Sequence, residues 1–117
     1  MSHKILLVED DQLSAEFMKI SLEDEGYDVL VANSLAEATK SFFAHNPSIV
    51  ITDIQLGDGS GIELAKMVKQ HGAKKVIGVS GFGKSQLSQM GRDTTDFDQI
   101  FTKPVELSEL TTTIRST

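Results

Sequence analysis

The chain has 117 residues, of which 39% are hydrophobic and 24% charged. That is the size and composition of one soluble globular domain with a single core. Its net charge of −6, from 17 acids against 11 bases, gives no electrostatic footprint for nucleic acid. The absence of cysteine excludes a disulfide framework, a thiol nucleophile and thiolate metal sites, and fits a cytoplasmic protein.

From the amino terminus, "KILLV" (4–8) reads as a strand, and acids follow it at once, which is not a secretory pattern. No stretch approaches the roughly 18 apolar residues that would span a bilayer. Residues 12–25 form a helix with a broad apolar face (Leu13, Phe17, Met18, Ile20, Leu22), stopped by Gly26 as C-cap. "YDVLVA" (27–32) is the second strand. Ser34 with Glu37 is a capping-box signature for a second helix that ends near Asn46-Pro47. "SIVIT" (48–52) is the third strand and runs into Asp53, then into the glycines of "GDGSG". Ser60 with Glu63 repeats the capping signature for a third helix, with Leu64 and Val68 facing inward. "KVIGV" (75–79) is the fourth strand, a shorter helix covers about 85–92, and "QIF" (99–101) is the fifth strand. The last helix is expected to start at Pro104, with Leu107, Leu110 and Ile114 at helical spacing. The first, third and fourth strands are continuous apolar runs, as in a parallel sheet covered on both faces.

The order is therefore βα five times. Right-handed crossovers put helices on both faces of a five-stranded parallel sheet, a doubly wound α/β sandwich of three layers. In such sheets ligands sit outside the carboxyl ends of the strands. Glu9-Asp10, Asp53, Ser80-Gly81 and Lys103-Pro104 all stand at such ends. Two carboxylates about 4 Å apart repel by roughly 4 kcal/mol at an effective dielectric near 20. Three therefore call for a cation or a raised pKa. Hard oxygen donors without His or Cys favour Mg²⁺. Asp11 has a plainer reading as the acid that starts the first helix. His3, His45 and His71 share no metal-ligand spacing and read as solvated.

Together, "ILLVEDD" (5–11), "IVITDIQLGDGSGIEL" (49–64), "VIGVSGFG" (76–83) and "FTKPV" (101–105) resemble the receiver domain of two-component response regulators. The resemblance covers essentially the whole chain, 1–117, as a single receiver domain without an output domain. It implies a flavodoxin-like strand order 2-1-3-4-5. It also implies that Asp53 is the phosphoacceptor, that Asp10 and Asp53 bind Mg²⁺ (or Mn²⁺) directly and Glu9 through water, and that Gln55 lends its main-chain carbonyl. Ser80 takes the place of the switch hydroxyl and Lys103 that of the family's lysine, before a proline whose peptide bond is typically cis. Gly81 leaves room for the phosphoryl group, and Gln55 and Phe82 tune turnover. The implied donor is a sensor histidine kinase or a histidine phosphotransfer protein, docked against Ser14, Phe17 and Pro104. A downstream protein or a second copy of the chain could receive the signal, with no direct role for nucleic acid or membrane.

Two departures stand out. The aromatic common three residues before the lysine is Ile100 here, with Phe101 beside it. "GRDTTDFDQ" (91–99) lacks the usual small-residue turn, so an irregular exit from the fourth helix is expected, and the glycine loops around the site read as flexible. Two rival functions stay open. A haloacid-dehalogenase-like phosphatase also forms a phospho-aspartate, but its usual second Asp falls at Gln55. A pseudo-receiver would be an interaction module that is never phosphorylated.

Overall fold

The structure is a computed structural model that describes residues 3–116. Five parallel strands make the main sheet in the order β2-β1-β3-β6-β7: β1 (Lys4–Val8), β2 (Asp28–Ala32), β3 (Ile49–Asp53), β6 (Lys75–Ser80) and β7 (Gln99–Thr102). Counting these five alone, the order is the expected 2-1-3-4-5. β3 is buried at every residue, including Asp53, as a central strand covered on both faces must be.

Strand alternation sorts the core into two layers. Ile5, Leu7, Ile49, Ile51, Ile77, Val79 and Phe101 face α1 (Gln12–Asp24) and α5 (Leu107–Arg115), where they meet Leu22, Leu110 and Ile114. Leu6, Val8, Val50, Val76 and Ile54 face α2 (Leu35–His45), α3 (Gly61–Gln70) and α4 (Lys84–Gln89). Leu64 and Val68 of α3 are fully buried, as their spacing predicts. No helix among the described residues is long and apolar enough to cross a membrane.

Local chemistry ends the helices as the residue types suggest. Asp11 is the N-cap of α1, accepting from the Leu13 N–H, and Ser34 caps α2 by accepting from Glu37 N–H. The Glu37 carboxylate reaches back to Asn33 N–H at 2.8 Å, one residue before the reciprocal position of a capping box. Gly26, at φ 95°, follows α1 in the left-handed region that favours glycine.

Four expectations need correction. The broad apolar face of α1 is mostly outside: Leu13 is 83% exposed, Phe17 66% and Ile20 53%, while Ala15 and Leu22 carry the packing. The reason is register, because Leu22 and Ala15 lie seven residues apart on the sheet side and Leu13, Phe17 and Ile20 follow another stripe. α5 starts at Leu107 rather than Pro104, because the backbone is still extended at Glu106, its N-cap. α4 stops at Gln89, short of 92, with Leu87 as its buried residue. Lastly, the loop after Asp53 is a small antiparallel hairpin, β4 (Gln55–Leu56) and β5 (Gly59–Ser60).

Candidate functional site

Two strand ends, those of β1 and β3, bring one carboxylate cluster together. Oxygens of Glu9, Asp10 and Asp53 lie within 4.8 Å of one another. Glu9 and Asp53 are buried and Asp10 is exposed, so the cluster opens to solvent on one side. Asn33 Nδ2 donates to the Glu9 main-chain oxygen at 3.0 Å, and Glu9 Oε1 accepts from Asp11 N–H at 3.1 Å. These bonds hold the acidic turn after β1 in place.

Lys103 Nζ stands 3.0 Å from Asp53 Oδ1 and 3.8 Å from Glu9 Oε2. Partial burial works against its ammonium, but the Asp53 and Glu9 carboxylates outweigh that and hold its pKa above the usual lysine value. Asp53 Oδ1 is buried, and the Lys103 ammonium is the positive charge that faces it. Burial, with a hydrogen bond toward Asp53, pushes Glu9 up to about 8. The rise reflects the cost of burying a charged carboxylate beside a second one. A buried Asp53 carboxylate grouped with the oxygens of Glu9 and Asp10, all of them hard ligands, is what a Mg²⁺-type site offers, and the residues fit that ion.

Asp10, Asp53, Gln55, Val79, Ser80, Gly81 and Lys103 line a cavity of about 110 Å³. Ser80 Oγ accepts from Phe82 N–H at 3.0 Å, so the hydroxyl lies at the cavity wall within the turn that follows β6. A Cβ on Gly81 would meet open space, so packing within the protein does not demand glycine there. Phe82, the next residue, is half-exposed. Beside this cavity, Glu9, Ser14, Phe17, Met18, Lys103, Pro104 and Leu107 line a larger groove of about 490 Å³. The structure thus brings Ser14, Phe17 and Pro104 onto one surface next to Lys103. The histidines are elsewhere: His3 stacks on Tyr27, and His71 packs edge-on against Phe43.

The hairpin after Asp53 is tied down in ways its glycines hid. Asp58 accepts from Leu35 and Ala36 N–H at 2.8 and 3.1 Å, capping α2 from a distance. Gly61 N–H donates to Ile54 O at 2.8 Å, and a Cβ at Gly61 would collide with the Asp53 carbonyl oxygen. Arg92 donates to Ser60 Oγ at 3.1 Å. Asp58, Arg92 and Asn33 escaped the sequence reading because each acts on a segment distant in sequence.

A family model described as "Response regulator receiver domain" matches residues 5–115. The chain belongs to that family. It is 30% identical over 112 residues to the transcriptional regulatory protein TrcR of Mycobacterium tuberculosis, covering 96% of this chain and 44% of TrcR. The chain spans about half the length, or less, of the curated relatives it matches first. The polar-differentiation response regulator DivK of Brucella ovis is 27% identical over 99% of this chain and 96% of DivK. Among solved structures, the response regulator TrrA of Thermotoga maritima, in complex with Mg²⁺ and BeF, superposes with a TM-score of 0.83 at 29% identity, covering 99% of this chain and 98% of TrrA. The receiver fold and its strand order are therefore those the sequence led us to expect.

Proposed function

We propose that this receiver domain accepts a phosphoryl group on Asp53 from a phosphohistidine donor, as a switch in two-component signalling in the cytoplasm. The observation that carries the reading is the buried Asp53 carboxylate held between the acids of β1 and the ammonium of Lys103.

An Asp53 carboxylate oxygen attacks phosphorus. The P–O bond forms as the P–N bond to the donor imidazole breaks, and the imidazole leaves with the electron pair. Such transfer passes through a loose transition state, so the protein positions groups and neutralises charge rather than forming further bonds. Lys103 supplies a fixed positive charge at the equatorial oxygens. Ser80 has its hydroxyl at the same cavity wall and can turn from Phe82 N–H to donate to a phosphoryl oxygen. Asp10 and Asp53 would hold Mg²⁺ or Mn²⁺ directly, Glu9 through water, and the Gln55 main-chain carbonyl would complete the protein's share. When bound, the ion neutralises charge on the phosphoryl oxygens. Water attack on phosphorus later releases phosphate and restores the carboxylate, at a rate tuned by the side chains at Gln55 and Phe82.

A sensor histidine kinase or histidine phosphotransfer protein would dock on the groove of Ser14, Phe17 and Pro104. A downstream protein or a second copy of the chain would read the result. Phosphatase chemistry is disfavoured because position 55, where a second acid would act, is an exposed Gln.

Incubation with Mg²⁺ and a small phosphodonor tests the reading by intact mass. We expect one phosphoryl group on the wild type and none on Asp53→Asn. A wild type that neither gains mass nor responds to beryllofluoride would instead be a pseudo-receiver. Multiple turnover on unrelated phosphomonoesters would make it a phosphatase.

A further inference from the structure

β7 carries Ile100 on the sheet face toward α3 and α4, and Phe101 on the opposite face toward α5, by strand alternation. Phe101 therefore cannot stand in for an aromatic at position 100. On the face of Ile100, its register partner in β6 is Gly78, which offers no side chain. The gap is filled from elsewhere. The Phe97 ring lies over Gly78, so that a Cβ there would come within 2.9 Å of two ring carbons and 3.3 Å of Ile54 Cδ1. Phe97 is only 6% exposed and shares its cluster with Ile54, the residue after Asp53.

The segment that carries Phe97 has no regular element between Gln89 and Gln99, and it is pinned at its two ends. At one end Arg92 donates to Ser60 Oγ, which itself donates to Ile54 O at 3.4 Å. At the other, Asp98 exchanges bonds with Val76: its N–H donates to Val76 O at 2.8 Å and its Oδ2 accepts from Val76 N–H at 2.7 Å. Lys69 Nζ meets the same Oδ2 at 2.7 Å. Both Phe97 and Arg92 thus bear on Ile54, one through its side chain and one through its carbonyl. The Ile54 N–H is in turn bonded to Val79 O, next to Ser80.

We propose that Phe97 and Arg92 are positioning residues that read the state of Asp53 through Ile54 and Ser60, and pass it to the surface formed by residues 91–98. A close-packed contact moves with its neighbour because no void absorbs the displacement. A shift of Asp53 and Ile54 by a fraction of an ångström therefore displaces the ring over Gly78. The glycine at 78 is what admits the ring, so the space beside Ile100 is filled by Phe97 rather than by a side chain from β6.

The inference rests on the proposed role of Asp53, and the test separates the two. Backbone amide shifts are recorded on the ¹⁵N-labelled chain before and after Mg²⁺ with beryllofluoride, for wild type, Phe97→Leu and Arg92→Gln. In the wild type we expect shifts at Gly81 and Lys103, beside the cavity, and also at residues 93–98. Each variant keeps the shifts at Gly81 and Lys103 and loses most of those at 93–98. Phe97→Leu keeps an apolar side chain in place, and Arg92→Gln leaves the core untouched should the first variant fold poorly. Wild-type shifts confined to the cavity, or variants with the full 93–98 response, would overturn the relay and leave the phosphoacceptor reading intact. No shift anywhere in the wild type would overturn both.

Discussion

Glu9 shows how a residue at a strand end acquires chemistry that its type alone does not have. Burial, with Asp53 beside it, pushes its carboxyl up to about 8 from the ordinary 4.5. A folded-state pKa raised above the unfolded one means that the folded chain binds the extra proton more tightly. In the metal-free protein this group therefore lowers stability as pH rises from about 4.5 to about 8. Melting curves at fixed ionic strength should show the fall between those values, and Glu9→Gln should flatten it. Because a bound cation competes with that proton, Mg²⁺ affinity should rise across the same window, measurable by titration at pH 6 and pH 8. Gly61 is the other residue whose role is set by its neighbours. Its missing Cβ lets the peptide of Ile54 approach, so Gly61→Ala should destabilise by about 1–3 kcal/mol, the usual cost of forcing atoms into a packed site. Denaturant unfolding reads that directly.

At the scale of elements, α1 has two faces with different duties. Leu22 is fully buried and Phe17 is largely exposed. Leu22→Ala should cost about 2–5 kcal/mol, the range for a core Leu truncation. Phe17→Ala should change stability by no more than about 0.5 kcal/mol. We expect the same Phe17 variant to slow phosphotransfer from a histidine donor while leaving labelling by a small phosphodonor unchanged, because only the large donor needs the groove. The β4–β5 hairpin is likewise an element with a task. Asp58 is held below the usual aspartate range by the Leu35 and then the Ala36 N–H, so its contribution is present above pH 3.8 and is lost as pH falls through its lowered folded value. Asp58→Ala should lower the melting temperature at pH 7, with the difference from wild type shrinking at acid pH.

For the whole molecule, the doubly wound topology matters because it draws carboxylates from β1 and β3 and a lysine after β7 to one edge. A ligand held across that edge binds only the folded chain. Mg²⁺ at 100 times its dissociation constant should add about 2.7 kcal/mol of stability, on the order of 10 °C in melting temperature for a chain of this size. Asp10→Asn should remove most of that increment, since Asp10 is one of the two carboxylates proposed to meet the ion directly.

The alternation of apolar runs with capped helical segments was enough to find the five strands and their carboxyl ends, because burial and capping are local in sequence, whereas the strand order followed from the family resemblance. Asp53, Lys103 and Ser80 could be placed on one edge from that topology alone, and the matching motifs named the family. Other features were settled only by tertiary contacts. The exposed stripe of α1 depends on which helix face the sheet takes, and Leu13 and Ile20 look alike to Leu22 in sequence. The glycine-rich turn after Asp53 reads as loose until Asp58 is seen bonded to α2 and Arg92 to Ser60, partners more than 20 residues away. Phe97 over Gly78 belongs to the same kind: a large side chain and a missing one explain each other only when the chain has folded them together. Periodicity reports what a segment buries, and only the packed structure reports what it is buried against.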